Sequence, residues 1–116
     1  MQLTQTKQCA NCPWKVDRDL SKIPGYNREN HQDLNGTIAN PDIDISEVIH
    51  QVTTPMRLMG CHYSTDDKLL ECVGWIYNQL RNNNLALRLA LIRSCQIRKL
   101  EIDGAQRATF AETLKD

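Results

Sequence analysis

The sequence has little aromatic surface and no net charge. Aromatic residues make up 5% of the 116 residues, and 14 basic side chains balance 14 acidic ones. A neutral chain creates no overall field that would draw it to nucleic acid or to an anionic membrane. Charge can therefore attract a partner only locally.

Long apolar runs are missing too. No stretch approaches the ~18 apolar residues of a membrane span, and residues 1–5 show neither the charged nor the apolar region of a secretory signal. We therefore expect a soluble cytoplasmic protein. Its length suits one domain over residues 1–116, with a flexible start at residues 1–7.

Patterns typical of catalytic sites are also absent. The 5 glycines form no phosphate-binding loop, and no Ser/His/Asp arrangement is visible. Asp66 and Asp67 are explained by capping at an expected helix start, and His31 and His50 stand alone. No catalytic residue is predicted, and the balance favours a protein that is not an enzyme.

Cysteines are the most informative residues that the chain does contain. Of the five, two lie in the run Cys9-Ala10-Asn11-Cys12-Pro13-Trp14. Two cysteines separated by two residues on a tight turn can bind one face of a zinc ion, which then needs two further ligands. The pattern predicts a closed structural zinc site whose ligands are Cys9, Cys12, Cys61 and Cys72.

Several alternatives stay open for these residues. His62 can replace Cys61 as a ligand or hydrogen-bond to the site from outside it. Four thiolates can also hold an iron-sulfur cluster. Cys9 and Cys12 can form a redox pair, or the cysteines can simply be buried. Cys95, in an apolar segment, is expected to be a free buried cysteine.

The rest of the pattern predicts an α+β fold that is mainly helical. Asn27 and one of the asparagines 82–84 are expected to cap helices, while a strand at residues 55–60 delivers Cys61. A helix from residue 64 or 65 to residue 80 should show one face to the core. The next helix is apolar nearly all round and should lie at the centre of the domain. A final amphipathic helix is predicted over residues 106–114. The zinc knuckle would be clamped to the strand and helix of residues 56–80.

A local basic surface is the main charged feature. Residues 81–100 contain no acidic side chain. Nucleic acid could contact the five basic residues of this segment, which are Arg81, Arg88, Arg93, Arg98 and Lys99.

Taken together, the motifs resemble those of a known family. They are the knuckle at residues 9–15, Ile23-Pro24-Gly25, Met59-Gly60-Cys61-His62, Cys72-Val73-Gly74-Trp75 and the run at residues 84–90. This combination resembles a domain-of-unknown-function family of small bacterial and phage proteins, over residues 8–114. The resemblance implies one family site at Cys9, Cys12, Cys61, His62 and Cys72.

Three functions remain as hypotheses. The first is a zinc-stabilised, non-enzymatic module that recognises another protein, for example a phage-encoded or accessory factor that acts on a host complex. The second is a zinc domain that binds nucleic acid through the basic segment. The third is a thiol redox or iron-sulfur sensor. The oligomeric state is not predicted.

Overall fold

A computed structural model describes residues 3–23, 26–39, 46, 49, 57–61, 63–64, 67, 70–82, 84–92 and 94–114. The fold is mainly helical, as predicted. The α-helices whose bounds fall within the described residues are α1 (Arg28–Gln32), α2 (Val73–Arg81) and α3 (Leu85–Leu91), and 3₁₀ helices span Leu20–Lys22, Asp33–Thr37, Cys95–Lys99 and Phe110–Thr113.

Asparagine caps begin two of the α-helices, and both predicted caps are confirmed. The side chain of Asn27 accepts a hydrogen bond from the backbone N–H of Asn30 at the start of α1. Asn84 accepts one from the N–H of Leu87 at the start of α3. Each bond satisfies a first-turn N–H that the helix itself leaves without a partner.

The helix that carries the core residues begins later than predicted. α2 begins at Val73, after Cys72, and not at residue 64 or 65. Residues 70–72 instead pair with residues 59–61 through backbone hydrogen bonds. Cys61 N–H donates to Leu70 O at 2.7 Å, and Cys72 N–H donates to Met59 O at 2.9 Å. These bonds hold residues 70–72 outside the helix that the sequence had predicted there.

β-pairing is limited to single bridges in the part of the chain that the structure describes. They join Lys7 to Glu101, Lys15 to Gln106 and Gly60 to Glu71. The predicted strand at residues 55–60 is reduced to the bridge at Gly60, and residues 55–56 lie outside the described ranges. Near the start of the chain, the backbone of Leu3 exchanges two hydrogen bonds with the side chain of Gln96.

Two helices in the second half of the chain also differ from their predictions. α3 is not buried all round: Leu87 and Leu91 are fully buried, whereas Leu89 and Ile92 are exposed. The predicted helix at residues 106–114 is a single 3₁₀ helix with Phe110 inward, as expected. A helix apolar on several faces is buried only where other chain covers it, and here α2 covers one side.

The core gathers around the two tryptophans. Trp14 and Trp75 are both fully buried, beside Met59, Ile76 and Leu87. Trp14 Nε1–H points at Met59 Sδ, and Trp75 Nε1–H donates to Thr37 O. In the described residues, no helix is long and apolar enough to cross a membrane.

Candidate metal centre

A tight turn presents the first two cysteines. Cys12 N–H donates to Cys9 O at 3.3 Å, and Lys15 N–H donates to Cys12 O at 3.1 Å. These successive turns bring the side chains of Cys9 and Cys12 to the same side of the backbone. Trp14 packs beneath them with no exposed surface, so one wall of the site is dry.

The other two cysteines lie on the paired segments that precede α2. The bridge between Gly60 and Glu71 places Cys61 and Cys72 on adjacent extended strands of backbone. Cys61 and Cys72 are buried, at 5% and 4% exposure. The chain therefore brings two cysteines from its beginning against two from its middle.

The sulfur atoms lie in two close pairs. Cys12 Sγ is 3.9 Å from Cys72 Sγ, and Cys61 Sγ is 3.9 Å from Cys9 Sγ. Cys9 and Cys12 also interact through their side chains, which links the pairs. For comparison, sulfurs on a tetrahedron with Zn–S bonds of about 2.3 Å are separated by about 3.8 Å.

The four sulfurs are not yet arranged as a formed site. Across the described ranges, no group of three or more Cys, His, Asp or Glu side chains is placed to hold a metal ion. The pairwise separations nevertheless suit a mononuclear ion, because each matches a tetrahedral edge within about 0.1 to 0.2 Å. What is lacking is convergence of both pairs on one centre.

Hydrogen bonds between the cysteines lower the pKa of two of them and raise the pKa of the other two. Hydrogen bonds from Cys72 and Cys9 lower the pKa of Cys12 to about 3, and a hydrogen bond from Cys9 lowers the pKa of Cys61 to about 6. The hydrogen bond to Cys12 raises the pKa of Cys9 and of Cys72, and burial raises both further. Cys12 and Cys61 therefore lose their protons more readily than Cys9 and Cys72 do.

N–H donors also point at three of the sulfurs. The backbone N–H groups of Trp14, Tyr63 and Trp75 lower the pKa values of Cys12, Cys61 and Cys72, in that order. Such donors stabilise the charged form of a sulfur. A buried cluster supplied with donors for anionic sulfur is suited to a cation, since buried anions without a counterion are costly.

Gln8 is a site residue that the sequence analysis missed. Its side chain is buried and lowers the pKa of Cys12 by hydrogen bonding. A reciprocal amide pair orients it: Gln8 Nε2 donates to Gln106 Oε1 at 2.6 Å, and Gln106 Nε2 donates to Gln8 Oε1 at 3.0 Å. No local motif marks this glutamine, because the partner that orients it lies 98 residues away.

The remaining predicted site residues fall elsewhere or outside the described ranges. His62 and Arg93 are not among the described residues. Cys95 is exposed, which corrects the expectation that it is buried.

The basic side chains of the segment at residues 81–100 are exposed where the structure describes them. The four described basic residues are Arg81, Arg88, Arg98 and Lys99. Arg81 lies over the ring of Tyr77, and Arg88 donates to Leu80 O.

Comparison with known proteins gives one family match. Residues 4–113 match a family model described as a family of unknown function (DUF6283). The chain matches no curated protein and no solved structure. Because the match covers nearly the whole chain, all four cysteines of the site lie within it.

Proposed function

The chain belongs to this family of unknown function (DUF6283), and we propose that it is a small zinc-stabilised protein that recognises another protein and catalyses no reaction. The observation that carries the proposal is the meeting of Cys9, Cys12, Cys61 and Cys72 from two distant parts of the chain. The site is a structural centre, and recognition takes place on a separate surface.

A single zinc ion suits the sulfur separations better than a four-iron cluster does. In a four-iron cluster each cysteine binds a different iron, so its sulfurs are spread around the cluster. Here the contacts run from Cys61 through Cys9 and Cys12 to Cys72. Four thiolates around one zinc leave no position for water or substrate, which is the pattern of structural and not of catalytic zinc.

Redox switching by Cys9 and Cys12 is less well supported. A reactive cysteine needs an exposed thiolate in an electropositive setting. Cys12 is only 1% exposed, and its pKa is lowered chiefly by other cysteines. A metal bound by both thiolates would suppress their reactivity further.

The face of α3 that points to solvent supports a role in recognition. Leu85, Leu89 and Ile92 recur at positions i, i+4 and i+7, which is the spacing by which a helix presents anchors to a groove. Leu89 is 54% exposed and Ile92 is 74% exposed, while Leu87 and Leu91 hold the opposite face in the core. In the described part of the chain, the three residues are not among those of the hydrophobic core cluster.

Charge around the strip indicates what kind of partner suits it. Arg81 and Arg88 are exposed and, in the described part of the protein, form no ion pair. A second copy would present the same arginines and no complementary charge at this border. The partner we propose is therefore a different protein, with an apolar patch bordered by acidic side chains.

Nucleic acid suits this surface less well. Proteins that bind single strands stack bases on aromatic side chains, whereas the strip is aliphatic.

Metal analysis tests the structural half of the proposal. We expect protein purified without added metal to be colourless and to contain one zinc per chain. Exchange into cobalt should give a blue-green thiolate complex. Folded protein with well under one equivalent of any metal would refute the zinc site, and brown protein with iron and acid-labile sulfide would replace zinc by a cluster.

Titration with nucleic acid tests the proposal that the partner is a protein. Single- and double-stranded DNA and RNA should show no binding at physiological salt. Binding that falls steeply with salt, and is lost when Arg88 and Arg98 are changed to Gln, would favour the nucleic-acid function instead, because displaced counterions set that slope.

A further inference from the structure

A cavity of about 280 Å³ lies beside the metal centre. In the described part of the chain, no Asp, Glu, Lys or Arg side chain lines it. A charged ligand would lose its hydration there without gaining a counterion, so the cavity suits a neutral molecule. In the described lining the apolar and aromatic residues include Tyr26, Leu34 and Met59, and the polar residues include Asn27, Asn30 and His31.

His31 is the polar group of this cavity that matters most. Its side chain is only 8% exposed. Its ring stacks on Phe110, with centroids 5.2 Å apart and planes at 14°, and it is tilted against Tyr26 at 5.3 Å. The two flanking rings hold the imidazole in one orientation within the cavity wall.

Hydrogen bonds of Thr113 determine where the proton of His31 lies. Thr113 Oγ1 is 2.6 Å from Phe110 O, so its one hydroxyl hydrogen is donated to that carbonyl. Thr113 Oγ1 must then accept the bond from His31 Nε2, which is 2.8 Å away. The proton therefore lies on Nε2. Burial lowers the pKa of His31, which keeps the ring neutral and leaves Nδ1 as an acceptor.

Nothing in the described part of the chain donates to Nδ1. A buried acceptor without a donor costs free energy that a bound donor would recover. Most of the lining is apolar, the exposed residues Asn27 and Asn30 add amide groups, and His31 is its buried polar residue. Such a combination is typical of a ligand site in which a few polar groups fix the orientation of the ligand.

The volume and the walls indicate the size and shape of the ligand. An apolar cavity of about 150 Å³ is known to hold benzene, so 280 Å³ accommodates two fused rings. The aromatic ring of Tyr26 and the thioether of Met59 both favour contact with a flat aromatic ring.

We propose that this cavity binds a neutral, planar, two-ring aromatic group that donates one N–H or O–H hydrogen bond to His31 Nδ1. The inference goes beyond the proposed function, because it needs neither the metal nor the α3 surface. The ring can belong to a free small molecule or to a tryptophan side chain of another protein.

Indole and its hydrocarbon counterpart indene test the proposal on the unaltered protein. They match in shape, but only indole has the N–H donor. We expect indole to bind with shifts in the NMR signals of the Met59 methyl group and the Tyr26 ring. Indene should bind roughly tenfold more weakly, the effect of one hydrogen bond to a buried acceptor. Equal affinities, or no shifts at these residues with either compound, would overturn the proposal.

A variant and a second probe extend the test. His31→Phe keeps a ring between Tyr26 and Phe110 but removes the acceptor, so indole should then bind no better than indene. A retained preference for indole would contradict the role of Nδ1. If the variant does not fold, the comparison of indole with indene on the unaltered protein still tests the proposal.

N-acetyltryptophanamide distinguishes a free aromatic molecule from a tryptophan side chain of another protein. Binding equal to that of indole assigns the site to a tryptophan side chain, and exclusion assigns it to a free molecule.

Discussion

Gly74 lies directly against the sulfur of Cys12. A Cβ atom built on Gly74 would stand 2.7 Å from Cys12 Sγ, and it would be 2.9 Å from both Gln8 Nε2 and Trp14 Cβ. Real Cβ atoms do not approach other atoms so closely. The glycine is therefore what allows the first turn of α2 to touch the cysteine turn.

Gly74→Ala should destabilise the protein and weaken metal binding. Alanine gains up to about 1 kcal/mol in helix propensity, but overpacking typically costs about 1 to 3 kcal/mol. The neighbours that would have to move, Cys12 and Trp14, are at most 1% exposed, so the steric cost should prevail. Chemical denaturation and zinc content measure the two effects.

Gly60→Ala is the matched control, because its Cβ would meet only ordinary contacts at 3.7 Å from Ser64 Oγ and 3.8 Å from Leu70 O. We expect wild-type zinc content and a much smaller loss of stability. Equal effects of the two changes would show that the contact with Cys12 has no special importance.

Serine substitutions of two cysteines should differ greatly. Cys72→Ser removes a buried proposed ligand, and structural zinc in finger peptides contributes roughly 10 to 16 kcal/mol, comparable with the whole stability of a domain at about 5 to 15 kcal/mol. We expect the variant to unfold or aggregate. Cys95→Ser, at an exposed position, should stay within about 0.5 kcal/mol of wild type. Similar melting curves for both would show that the ligand assignment is wrong.

Local interactions explain which features could be predicted from the sequence. A cap such as Asn27 acts within three residues, so its signal is complete in the local sequence. The turn that carries Cys9 and Cys12 is likewise local, whereas the zinc ion stays a prediction. The start of α2 could not be predicted in this way, since the bonds of residues 70–72 to residues 59–61 are set by tertiary pairing.

Long-range contacts explain what was missed. Periodicity alone cannot tell which apolar face of α3 is covered, and this is why Leu89 and Ile92 were expected to be buried. The role of Gln8 depends on Gln106, near the opposite end of the chain. In each case the deciding partner is distant in the sequence.

The ion pair of Lys15 and Asp103 gives a prediction about pH. Lys15 Nζ is 2.6 Å from Asp103 Oδ2, and the two side chains are 1% and 77% exposed. Asp103→Asn should destabilise the protein, because it leaves a buried ammonium group without a counterion. Adding Lys15→Met to that variant should restore part of the stability, since it removes the buried charge.

The hydrogen bond and the charge of Lys15 lower the pKa of Asp103. A lowered pKa in the folded state means that the stabilisation is complete above the unfolded value of about 3.9 and is lost only as the pH falls through the folded value. The difference in unfolding free energy between wild type and Asp103→Asn should therefore stay constant from pH 8 to pH 6. A difference that changes across this range would contradict the assignment.

Two leucines on α3 separate the core from the proposed recognition surface. Leu87 is fully buried and Leu89 is 54% exposed, although they are only two residues apart on the same short helix. Leu87→Ala should cost about 2 to 5 kcal/mol, through lost burial and the cavity left behind. Leu89→Ala should change the unfolding free energy by no more than about 0.5 kcal/mol. Denaturant titration of the two variants measures this contrast directly. A large loss of stability for Leu89→Ala would mean that its side chain serves the fold, and the strip formed with Leu85 and Ile92 would no longer be free to recognise a partner.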